Sequence, residues 1–331
     1  VDAGRGVGRA PYACPGWHVT PDPVWYVFCV MTTDVFVEHR SALTGVAYRV
    51  LGSASEAEDV VQEAWLRWSR VDHATVEDPR AYLVTVVSRI AVDRLRSARV
   101  RRESYVGEWL PEPVSTAPDG SERAEIADSV EFALLVVLET LSPLERAVFV
   151  LREAFQFPYA DIAEVIGREE AATRQLARRA REHVQERRPR FEADRATRRR
   201  ITERFLAACL EGDLEGITGL LAEDATLVGD GGGRARAPLR SLHGTAKVGR
   251  FLASITSEPN TRRFLAPLGL DSLDGLWTGI VELNGGPAAV VAAGDRVLTV
   301  MILEVVGDRV RDVYLIVNPE KMSRVRPPLS S

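Results

Sequence analysis

Cysteine is scarce. The 331-residue chain has three, Cys14, Cys29 and Cys209, at spacings that form no CxxC pair and no Cys/His cluster. That argues against a disulfide framework and against a zinc site, and makes a reducing cytoplasm the expected compartment. Long apolar runs are missing as well. No stretch approaches the roughly 18 consecutive apolar residues of a membrane-spanning helix, and Val24 to Met31 is too short, and lacks the basic flank, for an export signal. Nor is the chain basic overall: 42 Lys+Arg against 47 Asp+Glu leave a formal net charge of -5. A protein that coats nucleic acid along its whole surface is thereby excluded, while a local basic surface is not. Arginine is concentrated in two places, residues 89 to 102 and 174 to 204. The length allows two or three domains at about 100 to 200 residues each.

The second arginine-rich stretch overlaps the most informative pattern, residues 141 to 188. Tyr159, Ile162, Ala163 and Ile166 recur at helical spacing, Gly167 supplies a turn, and Glu169 to Gln185 reads as a second helix. This is the pattern of a helix-turn-helix. Thr173, Leu176, Ala180 and Val184 fall on one side of the second helix. Arg174, Gln175, Arg178 and Arg181 fall on the other, which suits a duplex groove; a solvated basic helix in an ordinary bundle would show the same stripe. Upstream, Glu122 to Glu139 is helical with Val130, Leu134, Val137, Leu138 and Leu141 inward. Ser142, Pro143 and Glu145 then carry the start signal of another helix.

Residues 1 to 33 mix Gly, Pro, Trp and Cys without a period and are expected to be a non-native or disordered extension, with Met31 the natural start. Three helices are expected next, Val35 to Leu51, Ser55 to Arg70 and Pro79 to Arg99. In the second, Val61, Ala64, Trp65 and Trp68 make one face and Asp59, Gln62, Glu63 and Arg67 the opposite one. The third buries Leu83, Val87 and Ile90 and exposes Thr85, Arg89, Arg96 and Arg99. Pro111, Pro113, Pro118 and Gly120 rule out a helix between Trp109 and Gly120, so this linker is expected to run extended over the surface. From Arg195 the pattern is helices first, then strand-like runs at Val281 to Leu283, Ala288 to Ala292, Val297 to Val305 and Arg309 to Val317. Asn284-Gly285 and Gly307-Asp308 mark tight hairpins, so an α+β unit with antiparallel strands is expected.

Several of these blocks together resemble the bacterial extracytoplasmic-function sigma factors. They are Asp59-Val60-Val61-Gln62-Glu63-Ala64-Trp65, Arg80-Ala81-Tyr82-Leu83 leading to Asp93-Arg94-Leu95-Arg96, and Leu141-Ser142-Pro143-Leu144-Glu145-Arg146 with its helix-turn-helix. The last third resembles a SnoaL-like domain, and three short motifs resemble those that mark sigma factors carrying such an extension: Trp109 to Pro113, Asp230 to Arg234, and Asn318 to Met322. The pattern of that subgroup has lysine where Arg234 stands, aspartate at Glu320 and leucine at Met322, which puts a lysine-specific contact at 234 in doubt. The resemblance implies a multidomain chain: two all-α sigma domains, the second with the helix-turn-helix, followed by an α+β SnoaL-like cone. Residues 34–98 would be sigma region 2, 99–124 a linker, 125–190 sigma region 4, 195–322 a regulatory SnoaL-like domain and 323–331 a flexible tail.

The implied partners are core RNA polymerase and promoter DNA, with no membrane, no cofactor, no metal and no catalytic residue; a small-molecule ligand of the C-terminal domain is a further expectation. Asp59, Gln62, Glu63 and Arg67 would face polymerase. Arg89, Arg96 and Arg99, with Arg101 and Arg102, would neutralise phosphates near the -10 element, and the loop Val71 to Asp78 would take unstacked bases. At the -35 element Arg174, Gln175 and Arg178 would read base edges while Arg179 and Arg181 contact phosphate. Asp230, Gly231, Gly232, Gly233 and Arg234, with Asn318, Pro319, Glu320 and Lys321, form the expected interdomain regulatory set; the glycines permit positive φ and the flanking charges could dock onto the first two domains or their linker. The alternative is a DNA-binding regulator fused to a small-molecule-binding or isomerase-like domain. It would use Asp224, Asp230 or His243 as acid or base inside an apolar cone; the plainer expectation is that the side chains lining the cone, Phe205, Leu221, Phe251, Leu268 and Trp277 among them, are simply packed together.

Overall fold

The computed structural model of the chain describes residues 23–102, 104–116, 130–187, 193–255, 257–266, 270 and 275–327. The first helix, α1 (Pro23–Leu51), begins inside the stretch that shows no period in sequence and runs unbroken through Met31; residues 1 to 22 lie outside the described residues. Proline is tolerated at the first helical position, and none follows within the helix. Helix α2 (Ala54–Trp68) starts under Ser53, whose side chain accepts from the Glu56 N–H, and α3 (Pro79–Arg102) completes the first unit.

The second unit comprises α4 (Phe132–Glu139), α5 (Pro143–Phe149), α6 (Tyr159–Ile166) and α7 (Glu170–Arg187). The helix expected from Glu122 is described from Phe132 onward, and residues 117–129 lie outside the described residues. Ser142 and Glu145 close a reciprocal capping box at the start of α5, which continues through a π turn at Val150–Ala154. Gly167, at φ 65°, makes the left-handed turn between α6 and α7. One hydrophobic core passes through both units: Leu43, Leu51, Trp68, Leu83 and Val87 pack in the same cluster as Leu135, Leu151, Ile162 and Val184.

The C-terminal unit opens with α8 (Arg195–Glu211) and α9 (Leu214–Leu220). Strands β1 (Leu221–Asp230) and β2 (Leu242–His243), helices α10 (Thr245–Ile255) and α11 (Glu258–Leu265), and strands β3 (Leu276–Leu283), β4 (Gly286–Ala293), β5 (Arg296–Val306) and β6 (Arg309–Ile316) follow. The sheet order is β2-β1-β6-β5-β4-β3. The expected antiparallel arrangement is corrected at one place: β1 lies parallel to β6, so the sheet is mixed. β1 enters directly from α9 and joins the last strand across a long connection, which a chain of hairpins cannot do. Asn284 and Gly285, at φ 49° and 72°, make the β3–β4 turn as their dipeptide predicts.

Along β5 and β6 the side chains alternate between two buried faces. Met301, Leu303, Val305, Val313 and Leu315 pack with Phe205, Ile217 and Leu252 of the helices. Val300, Ile302, Tyr314 and Ile316 pack with Leu110 of the linker and Phe132 of α4; the expected flexible tail is corrected over its described part, since Val325 joins this cluster and Arg324 pairs with Glu58 of α2. A two-residue period with both faces covered is what an interior sheet shows. The C-terminal unit is therefore packed onto the sigma-like part through the back of its sheet.

Candidate functional site

The expectation of a surface linker is wrong for Leu110 to Val114; residues 117–120 lie outside the described residues. Leu110, Glu112 and Val114 are 1%, 2% and 4% exposed, and Pro111 and Pro113 are buried with them. The reason lies in the backbone. Proline has no N–H, so prolines at alternate positions leave only three donors to satisfy in this segment, and burial demands that each be paired. Leu110 N–H donates to Asp230 Oδ2 at 2.9 Å, Glu112 N–H to the Gly52 carbonyl at 2.8 Å, and Val114 N–H to Asn284 Oδ1 at 3.1 Å. The carbonyls of the same three residues are matched too: Leu110 O accepts from Lys321 Nζ, Glu112 O from the Tyr48 hydroxyl at 2.8 Å, and Val114 O from the Asn284 N–H at 3.0 Å. The Glu112 side chain reaches the N-terminus of α2, where Oε2 accepts from Ala54 N–H at 3.0 Å and from the Ser53 and Ser55 hydroxyls. A carboxylate there complements the helix dipole.

The centre of this junction is Asp230, fully buried at the end of β1. Its Oδ1 accepts from the Tyr105 hydroxyl at 2.5 Å, and its Oδ2 accepts from Leu110 N–H and from Lys321 Nζ at 2.6 Å. Lys321 is 5% exposed and lies 3.2 Å from the centroid of the Trp109 ring, a cation–π position. Asn318 donates from Nδ2 to the Tyr105 hydroxyl at 2.9 Å, and Arg234 pairs with Glu320 at 2.6 Å on the exposed rim. Gly232, at φ 59°, has no room for a side chain: a Cβ would stand 2.4 Å from Asn318 Nδ2. The structure thus brings residues 230–234, 318–321 and 105–110 into one cluster.

Burial pushes the Lys321 amine down to about 8 against the pull of Asp230. The Tyr105 hydroxyl is raised, first by burial and then by its bond to Asp230. Between about 8 and the ordinary 10.5, folded Lys321 holds fewer protons than the unfolded side chain, so its contribution to stability increases with pH across that window. Lys321→Met removes this dependence. The difference in unfolding free energy, wild type minus variant, is expected to grow as pH is raised from the lower to the upper value, read by paired denaturant titrations; a constant difference would contradict it.

A second ionic cluster lies alongside. Glu139 binds both Arg102 and Arg146, the latter at 2.7 Å and 1% exposed, and Arg102 also donates to the Leu51 carbonyl at 3.1 Å and stacks on Trp109 at 4.1 Å. Arg102 is therefore committed to the junction and is not available for promoter phosphate.

The remaining candidates lie on open faces. Asp59, Gln62 and Arg67 are exposed and Glu63 half-buried on one side of α2. Arg94 spans Asp59 and Glu63 at 3.5 and 3.2 Å, and Arg67 pairs with Glu63 at 2.6 Å. Arg89 donates to Glu164 of α6 at 2.8 Å, a contact between the two helical units, while Arg96 pairs with Asp93; the side chains of Arg99 and Arg101 lie outside the described residues. Arg174, Gln175, Arg178 and Arg179 are exposed on α7 opposite the buried Thr173, Ala177, Ala180 and Val184. Arg174 and Arg178 pair with Glu170 and Glu182 within the helix, and Arg181 pairs with Glu153.

Residues 35–101 match the family model for sigma-70 region 2 and residues 131–184 that for sigma-70 region 4. The chain is 44% identical over 229 residues to the ECF RNA polymerase sigma factor SigJ of Mycobacterium tuberculosis, covering 68% of this chain and 73% of that protein. The chain belongs to the extracytoplasmic-function sigma factors. A probable ECF sigma factor of the same organism, SigI, is 32% identical over 294 residues, 88% of this chain and 94% of that one. The crystal structure of SigJ aligns with a TM-score of 0.69 at 36% identity, covering 90% of this chain and 100% of that one. The match extends through the C-terminal α+β domain, so the succession of helical units and SnoaL-like domain is shared with that structure.

That settles the broader alternative: the chain is a sigma factor and not a regulator of another class, and sigma factors are not enzymes. The acid/base candidates also fail to converge. Asp224 and His243 are exposed, and Asp230 is sealed against Lys321. Of the cone residues expected to be simply packed, Phe251 departs from that reading and lines a cavity of about 720 Å³ between the sheet and α10–α11. Phe205 and Leu221 are packed in the core, Trp277 lies against the opposite cluster, and Leu268 lies outside the described residues. Sequence reasoning missed Tyr48, Tyr105, Asn284 and the Glu139–Arg146 pair. Only Asn284 carried a signal, as a hairpin residue, and its side chain serves the linker as well.

Proposed function

We propose that the C-terminal domain of this sigma factor regulates promoter-directed initiation in the same chain by holding or releasing the linker between regions 2 and 4. The observation that carries this reading is the Asp230 carboxylate, which binds Leu110 N–H, Tyr105 and Lys321 at once. Because Glu112 of the same linker caps α2, a change at Asp230 reaches the helix whose polar face, Asp59, Gln62, Glu63 and Arg67, contacts core polymerase. Arg89, Arg96 and Arg99 serve the -10 region, and Arg174, Gln175, Arg178, Arg179 and Arg181 the -35 element. Arg89 must leave Glu164 before it can meet phosphate, so the packed arrangement is a resting state. Domain limits of 34–98, 99–124, 125–190 and 195–322 follow, with the protein acting in the cytoplasm. The cavity beside α10 offers the regulatory domain room for a small-molecule ligand.

Purified core polymerase plus the full chain is expected to initiate at promoter fragments that core alone does not use. Deleting residues 318–331, which removes Asn318 and Lys321, is expected to change run-off yield several-fold. Unchanged yield would show that the junction has no regulatory role.

A further inference from the structure

The cavity in the cone has a lopsided chemistry. Its wall is apolar, formed by Leu242, Phe251, Phe264, Leu315 and Val317. Two of the neutral polar groups that line it are spent on backbone: Ser254 donates to the Phe251 carbonyl at 2.7 Å and Asn260 to the Ser254 carbonyl at 3.0 Å. Among the described lining residues there is no carboxylate, yet two arginines, Arg236 and Arg263, stand there exposed. Neither has an ion-pair partner among the described residues, unlike Arg234 next door, which is paired with Glu320. Apolar side chains at the rim are left open to solvent: Leu239 is 66% exposed and Ile255 39%.

We infer that this cavity binds an amphipathic anion, with an apolar body against Phe251, Phe264 and Leu315 and a carboxylate, sulfonate or phosphate held by Arg236 and Arg263. The volume of about 720 Å³ falls within the range of sites that enclose drug-sized molecules. Apolar burial supplies the affinity and the charge fixes the orientation. The inference rests on the reading of the C-terminal domain as a regulator with a small-molecule ligand, and names the ligand's class.

The rim also contains Val106 and Gly233. Val106 belongs to the segment that Tyr105 ties to Asp230, and it is 53% exposed; a Cβ on Gly233 would lie 3.1 Å from its own Cβ. A ligand touching both Val106 and the cone wall binds the docked linker better than the released one. By linkage, occupancy strengthens docking by the same factor.

The test uses the full chain with two fluorescent probes of similar shape, anilinonaphthalene sulfonate and the uncharged N-phenylnaphthylamine. The sulfonate is expected to bind saturably at one site and to lose about tenfold or more in affinity in Arg236→Ala/Arg263→Ala, the size of a lost charge-assisted contact. The amine is expected to bind both proteins equally. Both arginines are exposed, so the variant should keep the wild-type circular dichroism. Equal sulfonate affinity in the two proteins, or equal losses for both probes, would overturn the anion site. Asp230→Asn is expected to weaken the sulfonate severalfold, and an unchanged affinity would overturn the coupling to the linker. If arginine dependence holds while deletion of 318–331 leaves transcription unchanged, the site stands and the regulatory reading falls; the reverse pattern removes the site alone.

Discussion

Asp230→Asn is expected to lower the unfolding free energy by about 3–5 kcal/mol, the usual consequence of leaving one member of a buried ion pair alone. Against a total stability of about 5–15 kcal/mol for a typical domain this is a large share. The substitution keeps the shape and removes the charge. Asn must then place either its oxygen or its amide toward Leu110 and Lys321. With the oxygen there, its NH2 meets the Tyr105 hydroxyl, which already accepts from Asn318 Nδ2 at 2.9 Å, and the tyrosine proton loses its acceptor. With the amide there, it confronts the Leu110 N–H and the Lys321 ammonium, both donors. Neither orientation satisfies the site. The Leu110 amide is expected to exchange its hydrogen much faster in the variant, and a separate early transition should appear in denaturant unfolding. Asp230→Asn/Lys321→Met removes both charges and should recover most of the loss, since a buried pair replaced as a pair is nearly neutral. A single variant within about 1 kcal/mol of wild type would mean that the carboxylate does not hold the junction.

The junction also shows where a single sequence stops being informative. The helix-turn-helix was legible because Gly167 and the spacing of Ile162, Ala163 and Ile166 are local facts, and so were the hairpins at Asn284-Gly285 and Gly307. Strand β1 was not, since Leu221–Asp230 begins with two acidic residues among four and pairs with a partner about ninety residues away. The Trp109 to Pro113 segment misled for a physical reason. Alternate prolines are read as exposed spacers, but the same lack of N–H groups makes such a segment cheap to bury, provided the remaining donors find partners. Those partners, Gly52 after α1, Asp230 at the end of β1 and Asn284 in the β3–β4 turn, lie in three separate parts of the chain. Arg102 shows the converse. Its place in an arginine run suggested phosphate, while its actual surroundings, Glu139, Leu51 and Trp109, come from three different parts of the chain.

On the proposed reading of α7, Arg174→Ala/Arg178→Ala is expected to reduce initiation by roughly two orders of magnitude, because a bidentate contact to a base edge contributes about 1–3 kcal/mol and two side chains one helical turn apart would meet separate bases. Both arginines are exposed on α7, 64% and 79% at the side chain; each pairs with a glutamate on its own helix, and Arg174 also lies over the Tyr159 ring of α6 at 5.2 Å. Such solvent-exposed pairs within one helix are weak and screened, so giving them up to a promoter would cost little. Nothing in the core depends on them, since Thr173, Ala177, Ala180 and Val184 face the other way; the variant should fold and should bind core polymerase like wild type. The measurement is run-off transcription from fragments that the wild-type holoenzyme itself selects, with core binding measured separately. Loss should be confined to recognition, and the salt dependence should change little if these two read bases, whereas Arg179→Ala should flatten it by about one counterion if Arg179 contacts phosphate as proposed. Equal loss of core binding and transcription would instead place the defect in the fold of the helix-turn-helix and remove Arg174 and Arg178 from the recognition surface.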